Sequence, residues 1–421
     1  MKNQAMLVLL LTAACSPVGV AEIYDLGGMY TYHYRDGRYA DWGDFARHGA
    51  HIAIQEINES GILGDDRVRM LEENTIDYHC WPENAARMAE TLMKKGILVL
   101  TGAGCSGPAV EIAKVGAQYE IPVISNGANA SMLSSEEEFP YFVRVVTPSE
   151  KYEGYLIEMA AYFGVEEIAY FHTTDAWGLG ARDVIHEFAE QRDIKIAQEY
   201  GYPRDTPYEV IKAYMEKVKE AGIKHIVNTS PTPDTVTMFR ALHELGMNAP
   251  GYSLYAAEMI SADETPEAVA GSLGYFAPMA ELVPSTKLSQ FRSALEQRLG
   301  RPVDPSSKAF FYGALSYDHM LAVGYAIRDV KDAGEQVAGR NMMKYLRRMD
   351  FDGATGHVAL VPGTNDRANL PVQIVNSHGY KADGQTVDFV SVGRVDPATG
   401  RLTVDEGAIV WPGNATGPPK Q

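Results

Sequence analysis

The chain has 421 residues, of which 46% are hydrophobic, and a formal net charge of −18 at pH 7. This length indicates two globular domains, and the acidic balance argues against a nucleic-acid partner, because phosphate contacts need clustered Lys and Arg. Beyond the N-terminal segment, no apolar run is long enough to span a membrane.

Residues 1–21 have the pattern of an export signal, with Lys2 ahead of an apolar stretch too short to span a bilayer. The sequence is compatible with two alternative cleavage sites for this signal. Ordinary signal peptidase would cut after Ala21, whereas the lipobox-like Leu11–Cys15 would leave a lipid on Cys15. We therefore expect a periplasmic protein, either soluble or a lipoprotein, whose membrane contact is limited to that anchor.

Strand patterns then alternate with helix patterns, which predicts an α/β protein with two doubly wound parallel-sheet lobes. We expect lobe 1 to comprise residues 22–146 plus 279–350 and lobe 2 to comprise 147–278 plus 351–380, with 381–421 an extension of uncertain placement. The predicted strands are Glu22–Met29, Arg67–Glu73, Ile97–Thr101, Pro122–Ser125, Tyr141–Val146, Ile168–His172, Ile196–Tyr200, His225–Asn228 and Tyr252–Tyr255.

The third strand, Ile97–Thr101, leads through a run of small residues into a helix with Pro108 in its first turn. Ser106 is placed to cap that helix, and a helix N-terminus above a strand end favours an anion. The same run matches the G-x-G-x-x-G pattern of dinucleotide-binding loops. Its late position in the domain, the lack of an acid after Pro122–Ser125 and the export signal argue against a nucleotide.

Two cysteines, Cys80 and Cys105, remain once the leader is set aside. An even number of cysteines in an exported chain predicts a disulfide, with two buried thiols as the alternative. The bridge would tie the loop after the second strand to the loop after the third, which predicts that these strands are neighbours.

Several stretches resemble one known family. They are Tyr39–Asp44, the spacing of Cys80 and Cys105, Pro122–Ser125 and Phe171–Gly180. In this order they resemble the type I periplasmic binding proteins of ABC transporters, in the leucine/isoleucine/valine-binding family, over about residues 23–375. The resemblance implies two lobes joined by three crossovers, a hinged cleft for a small carboxylate or amino acid, no cofactor, and an ABC permease as partner.

The resemblance also implies a set of ligand contacts. Ser106 matches the carboxylate-binding serine, and Gly127 and Asn129 match positions that hold the ammonium and the carboxylate, although Asn129 replaces a Thr. Trp42 and Trp177 match the aromatic residues that the two lobes contribute. Helix capping by Ser106, turn formation at 126–129 and core packing of the tryptophans are the structural alternatives.

The half of the predicted site that would bind the ligand ammonium departs from the family pattern. Where amino-acid binders place an acid for the ligand ammonium, this chain has Tyr255, with Glu258 three residues further on. If neither reaches the ligand, we expect a ligand without an amine.

No nucleophile elbow and no zinc-protease motif is present, so we predict no catalytic residues, no metal site and no enzymatic activity. The predicted function is capture of a small carboxylate-bearing solute, an amino acid or an analogue, for ABC import. The alternatives are a sensor or receptor component of the same fold, and a binder of an aromatic or short carboxylate that is not an amino acid.

Overall fold

The computed structural model describes residues 21–148, 152–257, 270–276, 285–305, 307–368, 370, 372–380, 387–396, 399–415 and 417. Glu258, Cys15 and nearly all of the proposed leader lie outside these ranges. Within them, no helix has the length and apolar character that crossing a bilayer requires.

Strands and helices alternate through most of the described chain. In chain order the strands are β1 (Ile23–Asp25), β2 (Gly27–Tyr30), β3 (Arg67–Arg69), β4 (Thr75–Asp77), β5 (Leu100–Gly102), β6 (Val123–Ser125), β7 (Phe142–Arg144), β8 (Glu167–Thr173), β9 (Lys195–Tyr202), β10 (His225–Thr229), β11 (Ser253–Ala256), β12 (Leu273–Phe276), β13 (Asp350–Gly353), β14 (Gly356–Ala359), β15 (Val372–Tyr380), β16 (Val387–Val395) and β17 (Leu402–Val404). The helices are α1 (Asp41–Ser60), α2 (Pro82–Met93), α3 (Ser106–Tyr119), α4 (Gly154–Tyr162), α5 (Ala176–Gln191), α6 (Tyr208–Glu220), α7 (Thr232–Glu244), α8 (Thr286–Leu299), α9 (Lys308–Asp332) and α10 (Gly339–Leu346).

Lobe 1 is built on a parallel sheet in the order β4-β2-β5-β6-β7. Side chains alternate across it: Val123 packs into the cluster formed with α2 and α3, whereas Ile124 packs into the cluster formed with α1 and α9. Helices therefore cover both faces of this sheet, as is usual for parallel sheets. The predicted α/β class is confirmed.

The order of strands in lobe 1 corrects one prediction. The predicted second strand, Arg67–Glu73, contributes only β3, which pairs with β1 outside the main sheet, and the main sheet takes β4 instead. Because β2 lies between β4 and β5, the strands that precede the two cysteine loops are not neighbours. The disulfide between Cys80 and Cys105 is present, with a Cα–Cα distance of 5.6 Å, and it links loops that flank β2.

Lobe 2 has a mixed sheet in the order β17-β16-β15-β12-β11-β10-β8-β9. Strands β8 to β12 run parallel, and β15 to β17 add antiparallel strands at one side. The described part of the segment 381–421, whose placement was open, thus extends this sheet. Trp411 near the C-terminus packs edge-on against Phe163, with ring centroids 4.9 Å apart.

The chain crosses between the sheets after β7, between β12 and α8, and between β14 and β15. A buried polar network joins two of these crossovers. Asp318 of α9 accepts hydrogen bonds from the backbone N–H groups of Ala354 (2.6 Å) and Thr355 (2.8 Å). Arg367, also buried, donates to the carbonyl oxygens of Thr355 (2.8 Å) and Val145 (3.2 Å). The hinge region is therefore held by two charged groups enclosed in protein, and burial raises the pKa of the Asp318 carboxyl.

Candidate functional site

Two loops lie side by side where β5 and β6 end, at the edge of the sheet where open α/β proteins bind ligands. The hydroxyl of Ser125 joins them. It donates to the carbonyl of Ala103 (3.0 Å) and accepts from the N–H groups of Gly127 (3.2 Å) and Ala128 (2.9 Å). This edge of lobe 1 is therefore shaped by internal hydrogen bonds.

Ser106 is the first residue of α3 and is buried at this edge. Cys105 occupies the N-cap position, so Ser106 does not cap its own helix, contrary to the structural alternative. Its Oγ instead accepts the N–H of Ala130 (3.1 Å), which leaves the hydroxyl proton to donate. The first N–H groups of a helix have no acceptor within the helix. Hydroxyl and helix start together form a donor cluster suited to an anion.

Aromatic side chains cover the two glycines of these loops. The ring of Trp42 lies 5.1 Å from that of Tyr312 in α9, and its Nε1 donates to the Tyr34 hydroxyl (3.0 Å). A Cβ on Gly104 would lie 3.0 Å from the Trp42 ring, and one on Gly127 would lie 2.7 Å from the Tyr312 ring. A side chain at residue 127 would displace the Tyr312 ring, whereas one at residue 104 would need the Trp42 ring to shift by a few tenths of an ångström.

A buried arginine holds the loop that carries Asn129. Arg144 at the end of β7 donates to the carbonyl oxygens of Ala128 (2.9 Å) and Ala130 (2.8 Å), one on each side of Asn129. Its Nε also donates to Asp366 in the third crossover (2.8 Å). The loop is thus fixed to the sheet and to the hinge at once.

Lobe 2 faces this edge through the start of α5. Asp175 caps the helix by accepting the N–H of Gly178 (3.0 Å), and Trp177 in the first turn is buried. A Cβ on Gly180 would lie 3.2 Å from the Oγ of Ser131 in lobe 1. The two lobes therefore meet here, and Trp177 belongs to the turn of lobe 2 that approaches the predicted lobe 1 contacts.

A cavity of about 770 Å³ opens between the lobes beside the disulfide. Its lobe 1 wall includes Tyr34, the hydrogen-bond partner of Trp42, and its lobe 2 wall carries Asp175, Arg204 and Asp234. Arg204 forms an ion pair with Asp175, and burial raises the pKa of the Asp234 carboxyl to about 6. Both walls of this cavity carry charged side chains, with Arg35 and Asp36 on the lobe 1 side, whereas the loops that follow β5 and β6 offer neutral donors.

Tyr255 lies deeper in lobe 2. It lies within β11, where its register partners are Val227 and Leu273, and its side chain is fully enclosed in the core. Burial raises its pKa accordingly. The structure thus brings together Trp42, Ser106, Gly127 and Asn129, with Trp177 opposite, and the contact predicted for Tyr255 stays a prediction.

The receptor family ligand binding region matches residues 46–379 of the chain. The chain belongs to this family. It is 21% identical over 368 residues to the metabotropic glutamate receptor-like protein E of Dictyostelium discoideum, covering 84% of this chain and 43% of that protein. It is 22% identical over 213 residues to the leucine-, isoleucine-, valine-, threonine- and alanine-binding protein of Pseudomonas aeruginosa, covering 51% and 56%. The chain spans about half the length of these relatives.

Solved structures of the same fold include ABC-transporter solute-binding proteins. One from R. palustris, in complex with 4-hydroxybenzoate, has a TM-score of 0.73 at 17% identity, covering 92% of this chain and 99% of that one. One from Desulfitobacterium hafniense, in complex with Leu, has a TM-score of 0.68 at 17% identity, covering 87% and 100%. The predicted type I periplasmic binding fold is thereby confirmed.

Several residues of the site were not predicted from the sequence. Arg204 and Asp234 follow β9 and β10, so the rule that sites form at strand ends would have found them. Tyr312 and Arg144 had no such signal, since one comes from a late helix and the other from within the predicted strand Tyr141–Val146. Among the described residues, no cluster of His, Cys, Asp and Glu has the geometry to hold a metal ion.

Proposed function

We propose that this family member is an extracytoplasmic solute-binding protein that captures a small carboxylate-bearing ligand between its lobes and delivers it to an ABC permease. The fold and the solute-binding proteins that share it support this role. The finer placement in the leucine/isoleucine/valine-binding group, the periplasmic location and the permease partner belong to the proposal. No chemical step is assigned to the cleft.

The proposal rests mainly on Ser106. Its hydroxyl, already accepting the N–H of Ala130, can donate to a carboxylate oxygen, and the start of α3 adds backbone donors and a favourable dipole. We assign the amide of Asn129 to the same carboxylate, the carbonyl oxygen of Gly127, whose N–H is already bonded to Ser125, to an ammonium group of the ligand, and Trp42 to the apolar face of the ligand. Closure of the lobes removes water, which strengthens each of these hydrogen bonds.

From lobe 2 we propose Trp177 as the ligand contact, because its helix start approaches lobe 1. The roles predicted for Tyr255 and Glu258 stay predictions, since Tyr255 is enclosed by lobe 2 and Glu258 lies outside the described residues. Asp234 in the cavity wall is the described acid that we propose for any cationic group of the ligand.

A receptor or sensor component is the second candidate. It is favoured by the family itself, and a relative that matches most of this chain is named as a glutamate receptor-like protein. Neighbouring genes separate the two roles, because a transport protein is expected beside permease genes and a sensor beside signalling genes.

The test is a thermal-shift screen of the mature protein against amino acids, keto acids and aromatic carboxylates, since a ligand that binds the native state raises the melting temperature. For the best ligand, Ser106→Ala should weaken binding by roughly 1–3 kcal/mol, because a buried charge loses a hydrogen bond. Failure of every carboxylate to bind contradicts the proposal, and unchanged affinity removes Ser106 from the site.

Ser285→Ala is the matched control. Ser285 caps α8, a helix that carries none of the proposed ligand contacts, by accepting the N–H of Leu288 (3.0 Å). Its loss should lower the melting temperature without altering ligand affinity.

A further inference from the structure

The side chain of Asn126 lies at the centre of the lobe 1 site and was not among the predicted contacts. It follows β6 directly and is only 1% exposed. A Cβ on Gly104 would lie 3.2 Å from its Oδ1 and 3.0 Å from the ring of Trp42. The amide therefore borders the same glycine that Trp42 covers, two residues before Ser106.

Neither Oδ1 nor Nδ2 of Asn126 has a hydrogen-bond partner among the residues that the structure describes. Buried amides almost always find partners, and one that does not find them opposes folding. Asn376, by contrast, is a buried asparagine whose side-chain amide has hydrogen-bond partners within the chain. Its Nδ2 donates to the carbonyl oxygens of Ser272 (3.0 Å) and Val410 (3.1 Å), and its Oδ1 accepts the N–H of Val410 (2.8 Å).

We propose that Asn126 contacts the ligand and determines its class, an inference that rests on the proposed function. Nδ2 donates to an oxygen of the carboxylate held by Ser106, and Oδ1 accepts from a donor beside that carboxylate. The ligand is therefore a carboxylate with an amino or hydroxyl group on the adjacent carbon. A plain carboxylate has no such donor, so it leaves the buried Oδ1 without a partner beside the ring of Trp42.

Matched ligands test this directly. Leucine and 2-hydroxy-4-methylpentanoate carry the donor that 4-methylpentanoate lacks, and phenylalanine and 3-phenylpropanoate form a second pair of larger size. Calorimetric titration of the mature protein should show that the donor-bearing partner binds at least about tenfold more tightly, because the buried oxygen is then satisfied. In Asn126→Leu, which removes both polar atoms at similar volume, the ratio measured with the hydroxy acid, which offers no cation to Asp234, should fall to near one.

The controls separate recognition from folding. Asn376→Leu should lower the melting temperature of the ligand-free protein, because it breaks satisfied hydrogen bonds, yet keep the affinity ratio. Asn126→Leu should not lower that melting temperature in the same way, since no hydrogen bond to the described chain is lost. Asn126→Ala replaces the leucine variant if the latter does not fold.

The affinity ratios either support or overturn the role of Asn126. A tenfold ratio that collapses in the Asn126 variants supports the inference. A wild-type ratio near one, or a ratio that survives in the variants, overturns it while the carboxylate-binding proposal stands. If no carboxylate of the panel binds the wild-type protein, the proposed function and the inference are both wrong.

Discussion

Each lobe places an arginine beside the cleft, and the two arginines are held very differently. Arg144 of lobe 1 has a fully buried side chain that bonds two backbone carbonyls and the carboxylate of Asp366. Arg204 of lobe 2 has a side chain that is 33% exposed and is paired with Asp175. One is part of a packed interior, and the other lies in the wall of an open cavity.

This difference indicates how the two halves of the site work. Buried charges with complete hydrogen bonding resist rearrangement, because removing one partner strands the other without water. Part-exposed ion pairs contribute little and exchange partners easily. We infer that lobe 1 presents a carboxylate site that exists before the ligand arrives, whereas the wall of lobe 2 adjusts on closure.

Replacement of Arg144 should produce the largest effect. Arg144→Met leaves the Asp366 carboxylate buried without its cation and frees the carbonyls on either side of Asn129. We expect the free energy of unfolding to fall by about 3–5 kcal/mol in urea titrations, with loss of ligand binding. Arg192→Met is the control, because Arg192 pairs with Glu158 at the surface and should cost under about 1 kcal/mol. Equal costs for the two variants would contradict the rigid role of lobe 1.

Removal of the disulfide is the next test of whether lobe 1 is the more rigid half of the site, because the bridge ties two loops of that lobe together. Converting both Cys80 and Cys105 to Ser should cost about 2–4 kcal/mol, because the unfolded chain regains the freedom of a loop with a sequence separation of 25. Dithiothreitol should lower the melting temperature of the wild-type protein and leave the double variant unchanged. Free thiols in the untreated mature chain would contradict the bridge.

The parts of the site that could be predicted from sequence are those built by local signals. An apolar strand, a run of small residues and a helix start locate Ser106, and the loop after the next strand locates Gly127 and Asn129. These positions depend on residues close to them in the chain, and the parallel sheet brings the two loops together without further information.

The other parts of the site could not be predicted from the sequence, because they depend on packing between segments that are far apart in the chain. Arg144 is polar in a predicted apolar strand, and its partner Asp366 comes from a crossover far along the chain. Whether Tyr255 faces the cleft or the core cannot be predicted either, because successive residues of a strand face opposite sides of the sheet and the strands on either side decide which face is enclosed. No pattern within the strand itself distinguishes the two cases.

Asp234 gives a pH-dependent test of the lobe 2 wall. Burial raises the pKa of its carboxyl from 3.8 to about 6. Below about pH 4 the group is protonated in both the folded and the unfolded chain. Between pH 4 and 6 the folded protein holds a proton that the unfolded chain has lost, so stability falls as pH rises through this window. Asp234→Asn should therefore add about 1–3 kcal/mol at pH 7 and nothing near pH 4.

The control for this prediction is Asp205→Asn, because Asp205 is exposed and its backbone N–H, not its carboxylate, bonds Asp234 (2.9 Å). The negative charge of Asp205 also raises the pKa of Asp234, so urea titrations at several pH values should show the same loss of stability for this variant, with the window moved slightly toward lower pH. A pH profile of Asp234→Asn that follows the wild type would show that Asp234 is not the titrating group.

The smallest expected effect is that of Arg204→Met. Because the ion pair with Asp175 is partly in water, its loss should cost less than about 1 kcal/mol, and this cost should vanish at high salt, where exposed charges are screened. The charge of Arg204 also lowers the pKa of Asp234. Its removal should therefore move the pH window in which stability falls toward higher pH. Arg144→Met should show neither the salt dependence nor this shift, because its charge is enclosed with its own acid; a salt-sensitive loss there would mean that the two lobes present equally open walls.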